Sequence, residues 1–162
     1  HQHQIVACDM APAIKGISFP TAQPLVMRAE RTFWEKATAA HVYSLQGRLR
    51  GERYSRHWYD LAAMAKSGHA NTAITDWQLA KNVAEHKSMF FAEKDANKVW
   101  IDYEIAVSGG IQLVPEDGAL QALKLDYAAM LEDGLLSFKQ PSFDEIIEIC
   151  SELQKKINFQ GK

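Results

Sequence analysis

Glu30-Arg31-Thr32-Phe33-Trp34-Glu35-Lys36 mixes ionisable groups with large aromatics, and Ser55-Arg56-His57-Trp58-Tyr59-Asp60-Leu61 repeats the mixture a short way on. In the first stretch Phe33, Lys36, Ala37, Ala40 and His41 recur at three- and four-residue steps. This spacing predicts a helix with a small, apolar stripe and with Lys36 rising half buried from its edge. In the second, Arg56 and Asp60 share one face, while Trp58, Leu61, Ala62 and Ala65 form an adjacent apolar one. Gly47-Arg48-Leu49-Arg50-Gly51 between them reads as a turn. Helices joined by so short a connection pack antiparallel, which sets Lys36 and Asp60 facing each other across the hairpin.

The pattern has a plain reading and a chemical one. An Arg–Asp pair at helical spacing is ordinarily a solvated ion pair worth about 0.3–0.5 kcal/mol, and a lysine at a helix edge ordinarily snorkels to water. Alternatively, a lysine, an arginine and an aspartate held at fixed points on neighbouring helices suit phosphate or nucleotide chemistry.

The remaining chain extends the helical pattern. Asp76 caps a helix through Trp77, Ala80, Val83, Ala84 and Lys87 to Phe91. Trp100 to Val107 fits a short helix or an extended segment before the Ser108-Gly109-Gly110 break. A further helix follows Pro115, with Leu120, Leu123, Tyr127 and Met130 spaced for burial and Asp126 a packing partner rather than a catalyst. The last begins at Ser142, whose capping box with Glu145 precedes a stripe of Phe143, Ile146, Ile147, Ile149, Cys150 and Leu153. The expectation is a mainly α bundle of about five helices, with short strands at Ile5 to Ala7 and Ile17 to Phe19.

Composition narrows the class. With 162 residues, 47% of them hydrophobic, the chain can bury a core without disulfides. A formal charge of −2 gives no global basic field, although Arg48, Arg50, Arg53 and Arg56 gather around the turn and border the candidate site. Cys8 and Cys150 stand in no paired motif, which fits a reducing cytoplasm. No apolar run approaches the length of a membrane span. His41, His57, His69 and His86 lack the close spacing of metal ligands on one helix, and no Cys-x-x-Cys is present, so no metal site is expected from these residues.

The order of words resembles the C-terminal half of the AbiEii/AbiGii nucleotidyltransferase toxins, relatives of the MenT toxins. After Ile17-Ser18-Phe19-Pro20 and the two stretches above, the resemblance continues through Val83-Ala84-Glu85-His86-Lys87 with Phe90-Phe91, Leu113-Val114-Pro115, Asp126-Tyr127-Ala128-Ala129-Met130 and Pro141-Ser142-Phe143-Asp144. It implies that Lys36 and Asp60 are catalytic, and that Lys36, Arg56 and His57 contact the nucleotide's phosphates. A lysine there neutralises triphosphate oxygens; an aspartate orients or deprotonates the incoming hydroxyl, or holds magnesium.

The resemblance also implies what these residues lack. Family members carry a Gly-Gly or Gly-Ser loop and an acidic Asp-x-Asp strand that binds two metals; here Gly109-Gly110 precedes Ile-Gln-Leu-Val-Pro and reads as a turn. The expectation is therefore a fragment or truncated product. Residues 1–28 are then a remnant of the preceding nucleotidyltransferase domain and 29–162 a helical domain, with magnesium bound only together with the missing part. The implied partners are a nucleoside triphosphate, a tRNA-like acceptor and a cognate antitoxin in a bacterial cytoplasm, with a homo-oligomer left open. The competing expectation is a non-catalytic helical module that binds a protein or RNA.

Overall fold

Helix α1, Ala29–Gln46, begins with Glu30 in its first turn, where a carboxylate complements the helix dipole, and stops at Gly47. Gly47 adopts φ 65° and donates its N–H to the Tyr43 carbonyl at 2.8 Å, the left-handed closure that glycine supplies most cheaply. The computed structural model describes residues 26–48, 51, 53–134 and 140–161. The expected strands at Ile5 to Ala7 and Ile17 to Phe19, and all but the last residues of the 1–28 segment, lie outside them.

Helix α2, Arg56–Lys66, returns alongside α1 and buries Trp58, Leu61 and Ala62. The Tyr43 ring meets Trp58 edge-on at 5.2 Å, while Lys36, nearly two turns earlier on α1, meets Asp60 further along α2. Position falls along one helix as it rises along the other, so the two run antiparallel, as the short connection predicts. Asp126 fixes that connection: its two carboxylate oxygens accept the backbone N–H groups of Arg53 and Ser55 at 2.7 Å each. Asp126 is thus a packing partner of the turn.

Gly68, at φ 84°, separates α2 from α3, His69–Thr75. Asp76 then caps α4, Trp77–Phe90, by accepting the Leu79 N–H at 3.1 Å. The chain crosses back through a single antiparallel bridge between Lys94 and Trp100. Trp100 is therefore extended, and the short helix α5, Tyr103–Ile105, starts only after Asp102, whose side chain caps it. It runs into a π-turn, Ala106–Gly110, that Gly109 ends at φ 118°. Helix α6 spans Asp117–Glu132, and α7 spans Phe143–Gln160 behind the Ser142 cap, which accepts the Glu145 N–H at 3.1 Å.

Seven helices are present among the described residues, with no sheet; the class is mainly α as expected, and the count exceeds five because α3 and α5 are short. Helix α1 is central. It packs on α2, α3 and α4, while α7 packs on α2 and the π-turn. Phe33, Trp34, Tyr43, Trp58, Leu61 and Leu123 are fully buried, each worth about 1.5–3 kcal/mol of transfer free energy. Their polar atoms are matched: Trp34 donates to Ala73 O at 3.1 Å, Trp58 to Leu113 O at 2.7 Å and Tyr43 to Ala119 O at 2.6 Å. Helix α7 grips the segment after the π-turn through side-chain amides. Gln154 Oε1 accepts the Leu113 and Val114 N–H groups, and Asn158 exchanges two 3.0 Å bonds with the Ile111 backbone.

Candidate active site

Lys36 and Asp60 meet on the flank of the α1–α2 pair, with Lys36 Nζ 2.7 Å from Asp60 Oδ2. The lysine side chain is 22% exposed and the aspartate 38%, so the pair is accessible but not freely solvated. Helical geometry explains the meeting. Lys36 follows the buried Phe33 by three residues and precedes the buried Ala40 by four, which sets it at the rim of the core stripe. Asp60 likewise flanks the buried Leu61 on α2.

Glu35 precedes Lys36 and points about 100° away around α1, toward α4. Its Oε2 lies 2.7 Å from Lys87 Nζ, and Arg31 and His86 approach its Oε1 at 3.6 and 4.0 Å. Two consecutive residues of α1 are thus tied to different helices, Lys36 to α2 and Glu35 to α4. Lys87 is 16% exposed, low for a lysine, and its ammonium lies 4.9 Å from the centre of the Phe91 ring. It lines a cleft of about 160 Å³ with Thr38, Val42, Tyr54, Phe91 and Glu93.

His57 sits one turn before Asp60, its ring edge-on to Tyr54 at 4.8 Å. Its Nδ1 is enclosed and has no hydrogen-bond partner among the described residues. Burial first, and then the positive charges of Lys36 and Arg56, lower its pKa to about 4; Lys87 acts in the same direction and Asp60 against them. At neutral pH the ring is therefore uncharged. Arg56 is exposed and makes no ion pair among the described residues. Of the other arginines around the turn, Arg53 is held by Asp133 at 3.2 Å and Arg50 lies outside the description. His41 serves the core: its Nδ1 accepts the Gln112 N–H at 3.0 Å, and burial lowers its pKa to about 4.

The structure accordingly brings Lys36, Asp60 and His57 together and leaves Arg56 at the margin. It adds Glu35 and Lys87. The word Val83 to Lys87 contains the second lysine, but nothing in its spacing says that α4 lies against the Glu35 face of α1.

A family model described as the nucleotidyl transferase AbiEii toxin of type IV toxin–antitoxin systems matches residues 2–149. The chain belongs to the AbiEii family. The AbiEii match spans α1 to α6 and the first turns of α7, and so includes every residue of the site. No curated protein and no solved structure gives a match. Membership sets the chain among nucleotidyltransferase toxins, a class that acts on nucleotides and is countered by an antitoxin.

Among the described residues, no group of three or more His, Cys, Asp or Glu side chains lies close enough to hold a metal ion. Asp60 is engaged by Lys36, and Glu35 by Lys87. No helix among the described residues is long and apolar enough to cross a membrane.

Proposed function

We propose that this chain is the helical part of an AbiEii-type nucleotidyltransferase toxin, in which Lys36 and Asp60 address the nucleoside triphosphate and the hydroxyl that attacks it. The observation that carries the reading is the 2.7 Å cross-helix contact between the residues to which the family resemblance assigns catalysis. An ammonium has three donors, and Asp60 takes one, which leaves two for phosphate oxygens. During transfer the acceptor hydroxyl attacks the α-phosphorus, the bond to the bridging oxygen of pyrophosphate breaks, and the hydroxyl proton passes to a base. Asp60 is that base or orients the hydroxyl; Lys36 offsets the charge that grows on the phosphate oxygens. Arg56 and His57 border the same phosphates. The acceptor in this reading is a tRNA-like RNA in the bacterial cytoplasm.

Lys36 and Arg56 each supply about 1–3 kcal/mol through charge-assisted bonds, consistent with millimolar nucleotide affinity once ordering costs are subtracted. The test is an amide NMR titration of each nucleoside triphosphate into the parent chain, Lys36→Ala and Asp60→Ala. Binding lost in Lys36→Ala but kept in Asp60→Ala, where the ammonium is released from its partner, supports the reading. Equal binding by all three overturns it. Incubating the chains with magnesium, labelled triphosphates and total tRNA reports on transfer: no labelling is expected, because the described residues hold no acidic metal site. Labelling by the parent and by neither variant would show a complete site within the chain.

A second reading, a non-catalytic binding module, draws on the exposed Met89, Phe90, Phe91, Val99 and Trp100, a run of apolar side chains of the kind that partners cover. A chain that binds RNA or protein but no triphosphate would favour it.

A further inference from the structure

The cations beside His57 do not all come from the α1–α2 hairpin. Lys87 reaches the site from α4, and its low exposure is unusual for a side chain whose ordinary place is water. An ion pair with Glu35 offsets part of the cost of holding it there. Yet the neighbourhood stays positive: Lys36, Lys87, Arg31 and Arg56 stand against the carboxylates of Asp60, Glu35 and Glu93, in a chain whose overall charge is −2. Two low-exposure lysines, each paired with a carboxylate on a neighbouring helix, act electrostatically on an uncharged histidine whose Nδ1 has no partner among the described residues. A structural network would tend toward charge balance; a local excess of fixed cations stores attraction for an anion.

We infer that Lys87 is a second phosphate-binding cation of the site, so that a triphosphate beside His57 bridges Lys36 and Lys87. This rests on the nucleotide reading of Lys36 and Asp60 above. The ion pairs act as orienting struts: Glu35 aims the Lys87 ammonium as Asp60 aims that of Lys36, and each ammonium retains donors for phosphate oxygens. Lys87 also lines the cleft with Tyr54, and the Tyr54 ring touches His57, so cleft and histidine form one continuous surface.

The test uses inorganic tripolyphosphate, which carries the phosphate chemistry without a nucleoside, in amide NMR titrations of the parent chain, Lys36→Met, Lys87→Met, Lys87→Arg and Glu35→Gln. Lys36→Met and Lys87→Met are each expected to weaken binding by about tenfold or more, and Lys87→Arg to restore most of it. Glu35→Gln, which removes the strut's negative charge but keeps Lys87, is expected to bind at least as tightly as the parent. If Lys87 is only a structural tie, Lys87→Met and Glu35→Gln will behave alike, and the inference falls. If Lys36→Met is impaired while Lys87→Met matches the parent, the inference falls and the nucleotide reading stands. No binding by the parent, or equal binding by every variant, overturns both. Should Lys87→Met not fold, Lys87→Gln replaces it with the same expectation. A parallel titration with a short single-stranded RNA lacking a 5′ phosphate separates the sources of phosphate: RNA binding without tripolyphosphate binding also overturns the inference.

Discussion

Asp126 holds the Ser55 N–H at 2.7 Å, and through it the start of the helix that carries Arg56, His57 and Asp60. The same carboxylate takes the Arg53 N–H, and Arg53 stands at φ 63°, a left-handed conformation that needs outside support. One side chain of α6 thus sets where α2 begins.

Replacing Asp126 with alanine should therefore cost more than a surface substitution. The loss of two backbone bonds to a charged acceptor predicts destabilisation of about 1–3 kcal/mol, read from the urea midpoint. A change within about 0.5 kcal/mol would mean that the connection is fixed by other contacts.

The Lys36–Asp60 contact predicts the reverse. Both side chains are partly exposed, so the pair contributes about 0–1 kcal/mol. Asp60→Asn should shift the urea midpoint only slightly, and its triphosphate binding should persist. A loss of several kcal/mol would make the pair a structural element and remove the reason to read it as a site.

Much of this was legible in residue order. The spacing around Phe33 and Trp58, the Asp76 cap and the Ser142–Glu145 box are local signals, and each marks the helix it predicts. The hairpin followed from its short turn. Helix α3 was not legible, because Gly68 and Asp76 enclose too few residues to show a period. Neither was the Glu35–Lys87 tie, since it depends on how α4 settles against α1 after a connection that no local pattern fixes.

The two histidines with lowered pKa values predict acid sensitivity. His41 and His57 have folded pKa values lowered from 6.5 to about 4, so the unfolded chain binds their protons first. Their contribution is fully present above pH 6.5 and is lost as pH falls toward 4, on the order of 3 kcal/mol for the more deeply buried His41. Urea midpoints between pH 7 and 4 should fall accordingly, and His41→Asn should flatten the slope. An unchanged slope would place the titration elsewhere.

Cys150 should be inert in the folded protein. Its thiol is fully buried, and burial raises its pKa to about 12, which suppresses the reactive thiolate. In a Cys8→Ser background, a thiol-specific chromogenic reagent should react only when urea unfolds the chain. Rapid labelling without denaturant would show that α7 opens readily.

Behind α7 lies the grip of Gln154 and Asn158 on the backbone after the π-turn. These amides stand four residues apart and engage amides along a non-helical strand, so the last helix works as a ruler whose gradations are one turn apart. At its end Gly161 passes so close to Ser108 that a Cβ there would lie 2.2 Å from the carbonyl oxygen, leaving no room for slippage. One residue added to or removed from α7 between Ser142 and Gln154 would turn both amides through about 100° and carry them about 1.5 Å along the axis. The helix would persist, but its marks would no longer coincide with Ile111 and Leu113. The length of α7 is thus locked to a bend in a different part of the chain.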